Sequence, residues 1–169
     1  MAEPVQFLII GGAAMLDLGL KDATKDIDLF CRDAAGKAKL LEAAGSLEFE
    51  LFGPEKRHAR LGLGGITIKG GHTLDIFAGW ISYDFGLSEV MWQRWERTRT
   101  LGKAEMRYTA VEDIFILKLI ANHSMDIEDC LPLTSTKMDY EAMYAEIEAV
   151  CQSRDKLRRR SGSPTWKRA

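Results

Sequence analysis

Short apolar and alternating segments run through the first two thirds of the chain, and helical patterns dominate the remainder. The first apolar run, Val5 to Ile10, ends at a glycine pair, which is typical of a buried strand followed by a turn. The patterns predict strands at 5–10, 26–31, 47–52, 58–63, 66–69, 73–77 and 103–109. Helical spacing predicts helices at 13–20, 34–45, 85–97, 111–123 and 138–159.

The connections between these segments contain residues that favour turns and breaks. Gly64-Gly65 predicts a hairpin, and Gly70-Gly71 separates the next two strands. Residues 125–130 are predicted to form an acidic linker that Pro132 interrupts. The order of the elements predicts an α+β fold, in which a mixed β-sheet is flanked by helices and the C-terminal part is helical.

Length and composition narrow the class of protein. The chain has 169 residues, of which 46% are hydrophobic and 28% charged, as in an ordinary globular domain. We therefore predict one domain over residues 1–160 and a basic, flexible tail over 161–169. No apolar run is long enough to span a bilayer, so we expect no membrane association. The three cysteines lie far apart, which favours a reducing, cytoplasmic setting over a disulfide framework.

Charge is distributed unevenly, although the net charge is only −2. Residues 152–169 contain seven basic residues and one acid, whereas the rest of the chain is clearly acidic. An acidic body is expected if several carboxylates crowd one site to hold cations. The basic segment could contact phosphate, but a solvated helix end is the simpler interpretation and the one we favour.

The segment Asp26-Ile27-Asp28 offers the first candidate chemistry. Residues two apart on a strand point the same way, so the two carboxylates stand side by side while Ile27 and Leu29 enter the core. Like charges this close raise each other's pKa unless a cation lies between them. Hard divalent cations such as Mg²⁺ prefer carboxylate oxygen, although two acids on an exposed strand edge are also common.

Asp75 is the second candidate, because it is a single acid within the apolar strand Thr73 to Phe77. Burying an unpaired carboxylate costs several kcal/mol, and a metal ion or a cationic substrate would remove that cost. The alternative is that Asp75 is simply the exposed member of an alternating strand.

The third candidate is the turn Gly11-Gly12 between a strand and a helix. Glycines allow backbone N–H groups to approach an anion closely, so a phosphate could bind there. Taken alone, a tight strand-to-helix turn explains the pair better.

Together, the three features resemble the DNA polymerase β-like nucleotidyltransferase superfamily. Its pattern is a Gly-Gly or Gly-Ser turn, an Asp-x-Asp strand and a third acid on a neighbouring strand, which Gly11-Gly12, Asp26-Ile27-Asp28 and Asp75 match in turn. The segment Thr24 to Leu29 is similar to the small bacterial and archaeal members, including those related to abortive-infection toxins. Gly12 stands where many members have a serine.

A further similarity to the toxin-type members lies downstream. The helix that contains Lys118, followed by Asp126 and Asp129, looks like their lysine-bearing helix and Asp-x-x-Asp pair. A lysine on an amphipathic helix is more often simply solvated.

The resemblance implies a two-metal displacement on a nucleoside triphosphate, with Mg²⁺ or Mn²⁺. Asp26, Asp28 and Asp75 would bind the metals, Asp75 would also orient or deprotonate the acceptor hydroxyl, and Gly11, Gly12 and Lys118 would bind the phosphates. The acceptor would be a protein hydroxyl, an RNA end or a small molecule. The resemblance to toxin-type members also implies a cognate toxin or antitoxin as a candidate partner. The alternatives are a catalytically weak regulatory module that binds nucleotide or a partner, and a purely structural domain.

Overall fold

The computed structural model describes residues 4–52, 66–81, 85–121 and 124–160. The chain divides into two compact units at the boundary between Met138 and Asp139. The first unit holds the sheet and five helices of the described residues, and the second holds one long helix. The expectation of a single domain over residues 1–160 stays a prediction.

A mixed sheet of seven strands forms the centre of the first unit. Its spatial order is β3-β4-β5-β2-β1-β7-β6. Two neighbouring pairs, β1 with β7 and β2 with β5, are parallel, and the other pairs are antiparallel. The strands are β1 (Val5–Ile10), β2 (Asp26–Cys31), β3 (Glu50–Phe52), β4 (Ile66–Lys69), β5 (His72–Ala78), β6 (Trp95–Leu101) and β7 (Ala104–Thr109).

Helices cover both faces of the sheet, as the α+β prediction requires. Gly36 in α2 faces the sheet, because a Cβ there would lie 3.3 Å from the Cβ of Cys31. The helix α1 lies against β1 and β2 and contacts α4. The helices of this unit are α1 (Gly11–Asp17), α2 (Ala34–Ser46), α3 (Glu89–Gln93), α4 (Val111–Ala121) and α5 (Ser124–Thr134).

The core is built around the inner strand β1, in which every residue except Gln6 is buried. Leu8 on β1 and Ile114 on α4 are fully buried. Such positions contribute about 1.5–3 kcal/mol each through the removal of apolar surface from water. The side chain of Asp113 is also fully buried, and it accepts a hydrogen bond of 3.0 Å from Nε of Arg94. This ion pair stabilises the first turn of α4, the helix that carries Lys118.

The predicted helix over residues 85–97 is wrong at both ends, because residues 85–88 are not helical and the helix stops at residue 93. The helix α3 spans only Glu89–Gln93, with the Ser88 hydroxyl accepting from the backbone N–H of Met91. Trp95 instead begins β6, whose sequence contains Thr98 and Thr100, and β-branched residues favour strands.

The predicted acidic linker over residues 125–130 is also wrong, because this stretch lies within α5. Pro132 lies inside that helix, in its last turn, and does not end it. At this position proline removes a single backbone hydrogen bond near the C-terminal end, which the helix tolerates better than a break in its middle. Asp126 and Asp129 are therefore three residues apart on one helix and share a face.

Smaller differences concern element boundaries. The helix α1 begins at Gly11, two residues earlier than predicted, and β3 is shorter than the predicted strand 47–52. Gly70 and Gly71 join β4 to β5 with positive φ angles of 60° and 80°, a conformation that glycine adopts without strain. The predicted strand 58–63 and the Gly64-Gly65 hairpin lie outside the described residues.

The second unit consists of α6 (Tyr140–Arg160). The carboxylate of Asp139 caps this helix by accepting a hydrogen bond of 3.0 Å from the backbone N–H of Ala142. The predicted basic tail, 161–169, lies outside the described residues. Within the part of the chain that the structure describes, no helix combines the length and the apolarity that crossing a membrane requires.

Candidate active site

Three aspartates lie on one face of the central strands. The register of the parallel pair β2 and β5 places Asp28 directly beside Asp75. Asp26 lies two residues before Asp28 on β2 and therefore points to the same face. All three line one cavity of about 290 Å³. The structure thus brings together the three carboxylates that the sequence pattern singled out.

Helices α4 and α5 provide the opposite wall of this cavity. Lys118, in the last turn of α4, and Asp126, in the first turn of α5, both line it. Apolar side chains complete the lining and reduce the access of water to the carboxylates. The remaining lining residues are Ile10, Gly11, Phe77, Ile81, Leu117 and Ala121.

Gly11 is required by its distance from Asp28. The register of β1 and β2 places Ile10 opposite Asp28, so the turn that follows β1 passes over that carboxylate. A Cβ at Gly11 would lie 2.6 Å from Oδ2 of Asp28. The φ angle of Gly11 is +62°, which side chains other than glycine rarely adopt. Both constraints explain why the turn begins with glycine.

The electrostatic environment of Asp28 disfavours its ionised form. Burial, followed by the negative charges of Asp75 and Asp26, raises the pKa of Asp28 from 3.8 to about 7. The positive charge of Lys118 acts in the opposite direction but does not cancel this effect. A carboxylate in such surroundings gains stability from any cation that binds beside it.

The chemistry of the three aspartates fits a hard divalent cation such as Mg²⁺ or Mn²⁺, which binds carboxylate oxygen. Among the residues that the structure describes, no three His, Cys, Asp or Glu side chains are already gathered closely enough to hold a metal ion. Like-charged carboxylates keep apart unless a cation joins them. The three side chains would therefore have to turn toward one another to share a metal, and Asp26, which is exposed, has the most freedom to do so.

A network of ion pairs adjoins the three aspartates. Nζ of Lys118 lies 2.8 Å from Oδ1 of Asp126 and 2.7 Å from Oδ2 of Asp129. Nζ of Lys21, in the loop before β2, donates to both carboxylate oxygens of Asp129 at 2.8 Å. We call Lys21, Lys118, Asp126 and Asp129 the ion-pair network. Lys118 is thus not merely solvated, because two carboxylates hold it at the cavity.

The ion-pair network favours the charged forms of Lys118 and Asp129. Burial alone would lower the pKa of Lys118, but hydrogen bonds and attraction from Asp126 and Asp129 outweigh it and raise that pKa. Burial alone would raise the pKa of Asp129, but the hydrogen bonds from Lys118 and Lys21 outweigh it and lower that pKa. Each charge in this network therefore meets an opposite charge.

Gly12 lies against Thr24, which explains why the turn lacks a serine. A Cβ at Gly12 would lie 2.9 Å from Oγ1 of Thr24 and 3.9 Å from Nζ of Lys21. The Thr24 hydroxyl itself donates to the backbone carbonyl of Asp26 at 3.0 Å. A serine at position 12 would have to displace this hydroxyl.

Sequence reasoning missed Lys21 and Thr24 as neighbours of the site. Both lie in the segment 21–25, which reads as an ordinary polar loop. Only the return of α5 toward this loop places Asp129 beside Lys21, and a contact across 108 residues leaves no local pattern. The one available signal was the short interval between Gly12 and Asp26, which forces the loop to fold back over the turn.

No protein-family model matches the sequence, and no curated protein matches it. Among solved structures, the chain is similar to the solution structure of the antibiotic-resistance factor ANT(2'')-Ia, with a TM-score of 0.58 and 13% identity. The match covers 92% of this chain and 89% of that chain. A crystal structure of ANT(2'')-Ia in complex with adenylyl-2''-tobramycin has a TM-score of 0.49 and 16% identity, over 93% and 89% of the two chains. The likeness to the solution structure shows that this chain has a nucleotidyltransferase-like fold.

Proposed function

We propose that the protein is a nucleotidyltransferase that moves a nucleoside monophosphate from a nucleoside triphosphate to a hydroxyl acceptor. The observation that carries this proposal is the alignment of Asp28 with Asp75 on parallel neighbouring strands, with Asp26 on the same face. The glycine turn that passes over Asp28 and the nucleotidyltransferase-like fold support it. Fold alone does not fix function, so the argument depends on the site.

The three aspartates are proposed to hold two divalent cations, Mg²⁺ or Mn²⁺, with the triphosphate. When bound, these cations would stabilise negative charge on the attacking and leaving oxygens at the α-phosphate. The acceptor oxygen would form a bond to the α-phosphorus. The bond between the α-phosphorus and the oxygen that bridges it to the β-phosphorus would break, and pyrophosphate would leave. Asp75 would orient the acceptor hydroxyl or take its proton.

The phosphates are proposed to lie along the turn Gly11-Gly12, because Gly11 lines the cavity beside the three aspartates. Lys118 would approach the departing pyrophosphate and neutralise part of its charge. The attraction of Lys118, which acts to lower the pKa of Asp28, supports placing this ammonium group beside the aspartates.

The acceptor is proposed to be a protein hydroxyl, an RNA end or a small molecule. The solved structure to which this chain is similar is that of an antibiotic-resistance factor, which favours a small molecule among these three acceptors. A cytoplasmic toxin–antitoxin context, with a cognate protein partner, is the finer expectation that the resemblance of the sequence suggests.

One observation favours a second candidate function, a regulatory module that binds nucleotide without transferring it. Lys118 already has two carboxylate partners, Asp126 and Asp129, whose negative charges oppose the approach of a phosphate. If this repulsion prevails, Lys118 would not neutralise the departing pyrophosphate, and nucleotide would bind without being transferred efficiently.

A transfer assay distinguishes the two functions. The protein is incubated with each α-³²P-labelled nucleoside triphosphate, Mg²⁺ or Mn²⁺, and one acceptor pool: total RNA, cell lysate or a panel of hydroxylated small molecules. The double variant Asp26→Asn/Asp28→Asn is the negative control, and Asp22→Asn, an exposed acid in the adjacent loop, is the matched charge control.

Label that appears on one acceptor, persists in Asp22→Asn and is absent from the double variant would support the enzyme. If no acceptor is labelled but a triphosphate raises the melting temperature only with metal, the regulatory module is the better account. If neither effect occurs, the proposal is wrong.

A further inference from the structure

Lys21 lies beside the glycine turn, and the proposed chemistry gives it no role. Its Nζ lies 3.9 Å from the position that a Cβ at Gly12 would occupy, so it flanks the turn directly. Its side chain is 25% exposed, so the protein does not enclose it completely. Both of its hydrogen bonds go to one residue, Asp129.

The ammonium group of Lys21 retains capacity to bind another anion. An ammonium has three N–H donors, and two of them point to the oxygens of Asp129. The third has no partner among the described residues, and Nζ is close enough to the turn for a phosphate bound there to provide one. Asp129 thus holds Lys21 in place without using all of its donors.

Lys21 and Lys118 are also held beside each other. Both donate to the same oxygen, Oδ2 of Asp129, at 2.8 Å and 2.7 Å. Two ammonium groups thus converge on a single carboxylate oxygen, and Asp126 provides the second negative charge of the network. A group with several negative oxygens, such as a polyphosphate, satisfies two neighbouring ammonium groups better than a single carboxylate does.

We infer that Lys21 is a phosphate-binding residue of this site, which contacts the β- or γ-phosphate of the bound nucleoside triphosphate together with Lys118. This inference rests on the proposed function. Asp129 is then a positioning residue, which holds the two lysines side by side until the phosphates engage them. Lys21 would then bind the phosphate in place of the serine hydroxyl, which Gly12 lacks.

Binding measurements that do not depend on turnover test this inference. Isothermal titration with Mg²⁺ compares the α,β-methylene analogue of the triphosphate with the corresponding monophosphate, on the full chain. The variants are Lys21→Gln, Lys21→Arg as the conservative change, and Lys25→Gln. Lys25 is an exposed lysine of the same loop, so its variant loses the same charge without touching Asp129.

We expect Lys21→Gln to weaken triphosphate binding by about tenfold or more, because it removes a charge-assisted hydrogen bond. Monophosphate binding should stay within about twofold, Lys21→Arg should recover much of the loss, and Lys25→Gln should resemble the wild type. The ratio of the two affinities is the decisive quantity, because a purely structural role of Lys21 would not change it.

The inference is overturned if Lys21→Gln binds the triphosphate as the wild type does, or if it weakens both ligands equally. Circular dichroism and the melting temperature establish that the variant is folded. If the wild type itself binds no triphosphate, the proposed function fails as well, and that outcome is distinct from a defect confined to Lys21→Gln.

Discussion

Two clusters of charge meet at the cavity, and they are built in opposite ways. In the aspartate cluster, Asp26, Asp28 and Asp75 lie on one sheet face, and the pKa of Asp28 is raised to about 7 by burial and by its two neighbours. In the ion-pair network, by contrast, hydrogen bonds from lysines lower the pKa of Asp129 below its usual value. Ionisation is thus disfavoured at Asp28 and favoured at Asp129.

The difference fits the proposed roles, a cation-binding site for the aspartate cluster and a structural one for the ion-pair network. The ion-pair network compensates its own charges, so it stabilises the fold without any ligand. The aspartate cluster is destabilising by itself, since like charges lie close together in partly buried surroundings. A protein retains such an arrangement where a cation completes it, and perturbed carboxylates in a cavity are typical of functional sites.

The largest expected effect is on transfer by the variant Asp28→Asn. An amide is a neutral, weaker metal ligand, so we expect transfer to fall by about a thousandfold or more. Initial rates with α-labelled triphosphate measure this effect, and Asp22→Asn should retain the wild-type rate. If Asp28→Asn keeps a transfer rate within tenfold of the wild-type rate, Asp28 is not a ligand of the catalytic metal.

The same variant should stabilise the metal-free protein. The pKa of Asp28 is higher in the folded state than the usual 3.8, so its contribution to stability is greatest below pH 3.8 and is lost as pH rises to about 7. We expect Asp28→Asn to raise the free energy of unfolding by roughly 2–4 kcal/mol at pH 8 and by little near pH 4.

Chemical denaturation in EDTA, at several pH values, measures this difference. Added Mg²⁺ should stabilise the wild type but not the variant, and so reduce the gap. A variant that is less stable than the wild type at pH 8 would mean that Asp28 has a structural partner.

The ion-pair network should respond in the opposite direction. Asp129→Asn removes the carboxylate that two lysines share, and we expect a loss of about 1–3 kcal/mol at pH 7. The pKa of Asp129 is lowered in the folded state, so its contribution is present above pH 3.8 and disappears as pH falls through the folded pKa.

The loss of stability caused by Asp129→Asn should therefore become smaller at acid pH. A loss caused by a simple packing defect would not change with pH. Glu128→Gln, an exposed acid on the same helix, is the matched control and should be nearly neutral. Equal effects of the two variants would show that Asp129 is not part of a stabilising network.

The smallest effect concerns the glycine turn beside the two clusters. Gly12→Ser should cost about 1 kcal/mol, because its Cβ would lie 2.9 Å from Oγ1 of Thr24. The double variant Gly12→Ser/Thr24→Ala relieves this contact, and we expect it to recover most of that stability. Additive penalties, measured by thermal denaturation, would contradict the close approach of the two side chains.

The aspartate cluster was predictable from the sequence, whereas the ion-pair network was only partly so. Asp26, Asp28 and the glycine turn lie within 20 residues of the sequence. The alternation of side chains along a strand places Asp26 and Asp28 on the same face. Lys118 and the Asp-x-x-Asp pair were recognised as a motif, but residues 125–130 were predicted to be a linker, whereas they belong to helix α5, which carries the two aspartates. Lys21 gave no signal, because its partner Asp129 follows it by 108 residues.

The fold shows the same limit. Strands β1 and β2 matched their predicted bounds, because continuous or alternating apolar runs identify them. Trp95 was misassigned because Trp92 and Trp95 have helical spacing, while the strand pairing of Trp95 with Thr109 is a tertiary contact. Pairings between distant segments override local spacing, and one sequence does not reveal them.

Metal binding tests the contrast between the two clusters most directly. Titration of Mn²⁺ into the wild type, Asp28→Asn and Asp129→Asn, followed by calorimetry, compares one member of each cluster in the same protein. The account predicts that the wild type and Asp129→Asn bind Mn²⁺ with similar affinity and that Asp28→Asn loses binding. Equal binding by Asp28→Asn and the wild type would contradict the assignment of the aspartate cluster as the cation site.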